Sequence, residues 1–311
     1  MTSMTNMSVG ATTHLGGPGR DELVPSRYAL RVGEIEVLVV SDGLLSLKTP
    51  NLATNADPAE VATWLDDMFL PPDEMVWPVN VVVVRSGGRT ILIDSGLGDQ
   101  QPDFKRAGRW AQRLAAAGID LASVTDVVLT HMHFDHVGGL LVDGVRERLR
   151  PDVPIHAAAA EAKFWASPDF SSNSSMPAWF PDAARSAAAK FLNEYGRQLR
   201  LFETEYEVAP GVLVRRTGGH TVGHSVVRLA SGSERLTFAG DALFAVALDH
   251  PDWYNGFEHD PEEAARVRVR LLRELAATRE PLVATHLPFP SVCHVAVDGD
   301  VFRCVPAVWD Y

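Results

Sequence analysis

One short run constrains this chain more than any other: Thr130-His131-Met132-His133-Phe134-Asp135-His136-Val137-Gly138-Gly139. Three histidines and an aspartate fall within six residues, directly after the apolar stretch 124–130. Neutral imidazole and carboxylate are ligands for zinc and similar divalent ions. In extended backbone side chains alternate, so His131 and His133 point to one side and can reach one ion. Asp135 and His136 fall where the chain turns and can face a second ion beside it. Gly138-Gly139 lets the backbone turn sharply into a helix. The chain has 11 histidines in 311 residues, so this spacing after a strand is rare by chance.

Ligand-type residues recur at the ends of other apolar stretches. Gly218-Gly219-His220-Thr221-Val222-Gly223-His224 lies between predicted strands at 212–216 and 225–229. Phe238-Ala239-Gly240-Asp241 closes one strand and Ala284-Thr285-His286 another. Strand ends are where α/β folds collect their sites. Further strands are predicted at 28–32 and 35–40 around Gly33, and at 79–84 and 90–93 around Ser86-Gly87-Gly88. Helices are predicted at 104–117, stopped by Gly118, and from Asp260-Pro261-Glu262-Glu263 to 277, with Asp260 as cap. Asp57-Pro58-Ala59-Glu60 opens a shorter helix by the same device. Residues 157–205 read as a helical insert with a turn-rich loop. This order predicts two packed sheets with helices outside, in one α/β domain over 21–311. Residues 1–20, rich in Thr, Ser and Gly, read as a flexible tail without the apolar centre of a secretory signal.

Composition removes other classes. Apolar residues at 46% and charged residues at 22% exclude disorder over most of the chain. Runs such as 81–84 are too short to cross a bilayer, so no membrane is expected as a partner. A net charge of −12, from 40 acidic and 28 basic residues, lacks the basic footprint of a nucleic-acid binder. Two cysteines cannot make a disulfide scaffold. A two-residue turn at Asp298-Gly299 would set Cys293 opposite Cys304. In a reducing cytoplasm, the expected compartment, both are expected as thiols.

With these motifs in this order, the chain resembles the metallo-β-lactamase superfamily from about residue 28 onward. The residues that carry the resemblance are Asp94 in Ile93-Asp94-Ser95-Gly96, the 131–136 run, His220, Asp241 and His286. It implies an α/β fold, the four-layer αββα sandwich (metallo-β-lactamase fold), and two divalent metal ions, expected to be zinc. By the resemblance, His131, His133 and His220 would bind the first ion. Asp135, His136 and His286 would bind the second, and Asp241 would bridge both. Asp94 would orient the site without binding an ion, and His224 is expected to do the same, the metal positions being filled. A hydroxide between the ions is the implied nucleophile, with Asp135 and Asp241 as the catalytic carboxylates.

Variants of the motif narrow the branch. His133 stands where flavodiiron relatives carry Glu, which argues against redox iron chemistry. Asp241 supplies a bridging carboxylate that the true metallo-β-lactamases lack. The 25 residues after His286 are too few for the helical C-terminal region of glyoxalase II relatives. Ribonuclease Z relatives share much of the motif, but the acidic balance argues against RNA. The tail from His286-Leu287-Pro288-Phe289-Pro290 to Phe302-Arg303-Cys304-Val305-Pro306, and Ser41-Asp42-Gly43, look most like the methyl parathion hydrolase branch. The closely related N-acyl-homoserine lactonases carry Tyr three residues after the bridging Asp, where this chain has Phe244.

The expected activity is hydrolysis of a carboxyl ester or lactone in a small, largely apolar substrate. Phosphotriester hydrolysis is the alternative, and a metal-dependent dioxygenase or dehalogenase on the same fold is the alternative of another class. A binding module without catalysis would need a degenerate metal site, whereas here every ligand position is filled. Phe69, Trp77, Trp165, Trp179, Phe180, Phe244 and His294 are candidate pocket residues, because small-molecule pockets favour aromatic walls. Trp165, Trp179 and Phe180 make the insert a candidate lid, with ordinary helix packing as the other reading. His14, His156, His250 and His259 have no motif around them and are expected at the surface. A homodimer is expected from the resemblance alone.

Overall fold

The computed structural model describes residues 24–171, 174–299 and 301–308; the tail at 1–20 and His14 lie outside the described residues. One sheet holds, side by side in chain order, β1 (Arg27–Val32), β2 (Ile35–Lys48), β3 (Glu74–Ser86), β4 (Arg89–Ile93), β5 (Asp126–Val128), β6 (Ile155–Ala158) and β7 (Leu199–Phe202). The second holds β8 (Glu205–Ala209), β9 (Val212–Arg216), β10 (Ser225–Ser231), β11 (Glu234–Phe238), β12 (Leu282–Val283), β13 (Cys293–Asp298) and β14 (Val301–Pro306), again in order. The first is antiparallel as far as β4 and parallel from β4 to β7. In the second, β11 and β12 run parallel. The helices are α1 (Pro58–Asp67), α2 (Trp110–Ala116), α3 (Phe134–Val137), α4 (Val145–Arg148), α5 (Ala159–Ala166), α6 (Phe180–Tyr195), α7 (Val246–Asp249) and α8 (Pro261–Thr278).

Alternation along the strands builds the layers. On β3, Val81 and Val83 face the helical side with Trp64, Trp110 and Leu114, while Val82 and Val84 pack between the sheets with Leu229, Leu236 and Phe238. On β10, Val227 and Leu229 join that middle layer, and Val226 turns outward to Leu271, Leu272 and Leu275 of α8. Three apolar layers therefore separate the four layers of an αββα sandwich, as expected. Each fully buried valine contributes about 1.5–3 kcal/mol from removal of apolar surface from water. No described helix is long and apolar enough to cross a membrane.

Some local expectations need correction. β2 and β3 reach well beyond 35–40 and 79–84. Gly43 (φ +129°) and Pro78 interrupt the sequence pattern, but a bulge between Ser41 and Gly43 absorbs the irregularity and pairing continues to Lys48 and Glu74. Helix α2 begins at Trp110 rather than 104. The buried Asp42 carboxylate accepts the N–H groups of Leu97 (2.9 Å), Gly108 (3.1 Å) and Trp110 (2.8 Å), so the chain before Trp110 serves a distant strand instead of a helix. Burial raises the pKa of Asp42 and those donors oppose the rise. A Cβ added at Gly96 would lie 2.5 Å from Asp42 Cγ, so glycine is required there.

The final hairpin pairs Asp298 with Val301 and Val295 with Cys304, so its turn begins at Gly299 (φ +62°) and not at Asp298. Cys293 lies opposite Pro306, which makes the cysteines diagonal neighbours with free thiols.

Candidate metal centre

Side chains from five separate segments meet at one end of the sandwich. Asp94 follows β4, the 131–136 run follows β5, and His220 and His224 precede β10. Asp241 follows β11 and His286 follows β12. All are buried. Asp241 stands in the middle. Its Oδ2 lies 3.1 Å from His286 Nε2, 3.4 Å from His220 Nε2 and 3.9 Å from His131 Nε2, and its Oδ1 lies 3.2 Å from His136 Nε2. Asp135 places Oδ2 3.4 Å from His286 Nε2 and Oδ1 3.8 Å from His136 Nε2. His133 Nδ1 lies 3.1 Å from His220 Nε2. Three sets each bring their ligand atoms within 4.8 Å of one another: His131, His133 and His220; His131, His136 and Asp241; Asp135, His136 and His286.

Hydrogen bonds such as His286 Nε2 with Asp241 Oδ2 (3.1 Å) account for only part of this cluster. His131 Nε2, His136 Nε2 and Asp241 Oδ1 are buried without a hydrogen-bond partner among the described residues. Buried polar atoms are normally satisfied, and imidazole nitrogens with carboxylate oxygens facing one space are the donor set of zinc-like cations. The residues present fit two adjacent divalent ions.

The ligand-type side chains are held from behind. His286 Nδ1–H donates to Pro78 O (2.7 Å), which leaves Nε2 to face Asp241. His136 Nδ1–H donates to Asp94 Oδ2 (2.8 Å), and Asp94 also accepts from the hydroxyl and the N–H of Thr130 (both 2.8 Å). Those bonds hold Asp94 at φ +57°, a left-handed conformation costing a non-glycine residue about 1–3 kcal/mol. His224 Nε2 accepts the Asp241 N–H (3.1 Å), and its Nδ1–H donates to Thr217 Oγ1 (2.8 Å).

Two contributors carry no local motif. Glu161 of α5 is buried; its Oε1 accepts from Met132 N (2.9 Å) and Trp165 Nε1 (2.7 Å), and its Oε2 from Thr221 Oγ1 (2.6 Å) and Gly223 N (2.8 Å). One carboxylate of the insert thus ties the 131–136 segment to the 220–224 segment. The sequence signal was slight: an acid at the first turn of a helix of small and apolar residues. His259 is the other. It is buried beside His133 rather than exposed, with the two Nε2 atoms 3.2 Å apart. His156 is also buried, 3.0 Å from Asp126 Oδ1, and His250 stacks on Trp253.

Charge follows packing. Burial opposes ionisation of Asp241, yet His286 and His136 hold its carboxyl well below the usual range. Burial opposes protonation of His136, yet Asp241, Asp94 and Asp135 hold it well above the ordinary imidazole value. His131, His133 and His220 go the other way, driven by burial and by neighbouring imidazoles. The proton favoured on His136 Nε2 thus offsets part of the carboxylate charge, and a cation bound at that nitrogen would displace it while leaving Nδ1–H on Asp94.

His259 is pushed down to about 3 by burial. Its ring is neutral in the fold but binds a proton below about pH 6.5 when the chain unfolds. Between these limits the unfolded state carries the extra proton, so this contribution to stability rises with pH and is lost as pH falls from about 6.5 toward 3. Denaturation in chelator, compared between wild type and His259→Phe, should differ in slope by up to about 1.4 kcal/mol per pH unit over that window. Equal slopes would mean that His259 titrates normally.

A narrow cavity of ≈ 20 Å³ opens over the centre, walled by Leu45, Leu47, Trp77, Phe134, Trp179, Phe180, Asn255 and Phe257. Arg268 of α8 pairs with Glu258 and donates to the carbonyls of Pro251 (2.9 Å) and Trp253 (3.0 Å), fixing the loop that carries Asn255 and Phe257. Of the candidate pocket residues, Trp77, Trp179 and Phe180 reach the cavity wall. Trp165 and Phe244 stand one layer behind: Trp165 is bonded to Glu161, and Phe244 stacks on Trp77 at 5.4 Å. Phe69 and His294 are elsewhere. Phe69 is 97% exposed in the turn after α1, where Leu65 is buried and Leu70 packs against the core instead. His294 alternates with the buried Cys293 and Val295 on β13, so it faces away and its Nδ1–H donates to Arg279 O (2.9 Å). Leu45 and Leu47 were missed because the predicted strand ended before Gly43.

A family model described as the metallo-beta-lactamase superfamily matches residues 75–286, more than half of the chain. The chain belongs to the metallo-β-lactamase superfamily. Among curated relatives, a probable metallo-hydrolase of Mycobacterium tuberculosis is 25% identical over 186 residues, covering 53% of this chain and 56% of that protein. The acyl-coenzyme A thioesterase MBLAC2 of Gallus gallus is 27% identical over 195 residues, 58% of this chain and 62% of that protein. The chain thus spans 56% and 62% of the length of these two curated relatives. Among solved structures, AidC, a dizinc quorum-quenching lactonase, superposes with a TM-score of 0.81 at 24% identity, covering 92% of this chain and 99% of AidC. The hydrolase AbOPH gives 0.80 at 25% identity, covering 93% and 99%.

Proposed function

We propose that this superfamily member is a binuclear, zinc-dependent hydrolase that cleaves a carboxyl ester or lactone in a small, largely apolar substrate. The observation that carries the reading is Asp241, whose two oxygens face His136 on one side and His286, His220 and His131 on the other, beneath an apolar cavity. AidC, described as a dizinc lactonase with a product N-acyl-homoserine bound, supports it by likeness of fold. Two divalent cations would supply Lewis acidity, acidifying a water and polarising the substrate carbonyl oxygen.

The chain's own residues do the rest. Asp241 holds the two imidazole sets together. Asp135 lines the cavity beside His286 and can accept a hydrogen bond from the attacking water, then pass a proton to the leaving oxygen. Trp77, Phe180 and Phe257 wall the cavity, exclude bulk water and offer the apolar surface that such a substrate would meet. Phe244 lies behind Trp77 and offers no hydroxyl to the substrate. A homodimer is the assembly we expect from the resemblance, and a reducing cytoplasm is the compartment we expect.

The test is a panel of aryl esters, lactones, β-lactams and paraoxon-type triesters, assayed together with metal analysis. Ester or lactone turnover with about two zinc-type ions per chain is the expected result. Iron with oxygen uptake would sink the hydrolase reading, and turnover of triesters alone would move the scissile bond from carbon to phosphorus.

A further inference from the structure

We propose that His259 is a positioning residue: it accepts a hydrogen bond from His133 Nε2–H and thereby fixes the tautomer in which His133 Nδ1 faces the cation site. The proposal rests on the binuclear reading above. His131, His136, His220 and His286 all turn Nε2 toward Asp241. His133 instead turns Nδ1 inward, toward His220 Nε2. A neutral imidazole carries its proton on one nitrogen, and the hydrogen bond made by the outer nitrogen decides which one. For Nδ1 to offer a lone pair, Nε2 must hold the proton and find an acceptor.

His259 Nε2, 3.2 Å away, is placed to be that acceptor. The surroundings offer little else: His133 packs edge-on against Trp165 (5.9 Å) and Phe180 (5.0 Å), whose carbon surfaces accept poorly. If His259 accepts at Nε2, its own proton sits on Nδ1. That atom is buried without a partner among the described residues. The ring borders a separate cavity of ≈ 390 Å³ lined also by Thr217, Gly218 and Asp260, with room for a water to take the bond. His259 is itself held firmly. Its N–H donates to His220 O (2.7 Å), and Asp260 N–H donates to Gly219 O (3.1 Å). The residue that orients His133 is therefore anchored to the segment carrying His220. Without a cation the shared hydrogen bond can run in either direction; a cation at His133 Nδ1 leaves one.

The test uses zinc itself, with the full chain labelled with ¹⁵N-histidine. In the zinc-loaded protein, His133 should show a protonated Nε2, and His259 a protonated Nδ1 with a bare Nε2. In chelator competition, His259→Phe should bind zinc roughly ten- to a hundredfold more weakly. His259→Gln, whose amide oxygen can accept the same bond, should recover most of that loss. Recovery by Gln keeps the test decisive even where the Phe variant folds poorly. A bare His133 Nε2 in the loaded wild type, or wild-type zinc affinity in His259→Phe, would overturn the proposal. A wild type that takes up no zinc would overturn the binuclear reading along with it.

Discussion

Replacing Asp241 with Ala is expected to lower kcat/KM by about a thousandfold or more, to background hydrolysis, and to strip most of the bound metal. The reason lies in the geometry. Among the described residues Asp241 alone approaches four imidazoles, at 3.1, 3.2, 3.4 and 3.9 Å. With alanine there, the donors His131, His133 and His220 would remain, but the carboxylate between the two sets would be gone, leaving Asp135 on one side alone to offset repulsion between two adjacent cations. The metal-free protein should also weaken. The carboxylate sustains the protonated forms of His136 and His286, and breaking a buried charged contact costs about 3–5 kcal/mol. Asp241→Asn separates the effects: it keeps the volume and one acceptor but removes the charge. Metal content should fall as far as in the Ala variant, while denaturation in chelator should show a smaller loss. Wild-type activity in Asp241→Ala would refute the bridging role.

What could be read from the sequence is chemistry that is local along the chain. The 131–136 run, Asp241 and His286 each close an apolar strand, His220 lies in the turn between two strands, and their side chains converge in space. The αββα layering was legible for the same reason, since valine runs such as 81–84 must bury both faces. What escaped reading depends on partners far along the chain. Asp42 sets the start of α2 from 68 residues away, and no local propensity in 104–109 reveals that. His259 looked like a surface histidine because its partner, His133, is 126 residues distant. The hairpin register moved by two residues because a turn at Asp298-Gly299 and one beginning at Gly299 differ little in local sequence preference. Aromatic residues were the weakest guide. Trp77 and Phe69 look alike as candidates, yet one closes the cavity and the other is solvent-exposed.

Glu161→Ala should be the most damaging substitution that removes no metal-facing side chain. Its carboxylate accepts four hydrogen bonds at 2.6–2.9 Å, two at each of its oxygens. Alanine would leave buried N–H groups of Met132, Trp165 and Gly223 without acceptors. Each such group costs about 1–3 kcal/mol, and since the site can partly relax, a total loss of about 3–5 kcal/mol is expected in chelator. Glu161→Gln should lose roughly half of that. Its amide oxygen can serve Met132 and Trp165, and the Thr221 hydroxyl can rotate to accept from the amide NH2, but Gly223 N–H is left facing a donor. The consequence for the site is alignment. Met132 lies between His131 and His133, and Thr221 follows His220, so loss of the strap frees the two segments to drift apart. A displacement near 1 Å lowers turnover about a hundredfold, and zinc affinity should fall with it although every ligand is still present. Zinc titration beside denaturation in chelator distinguishes the two roles. A loss of stability with unchanged zinc affinity would mean that Glu161 supports the fold without setting the ligand geometry.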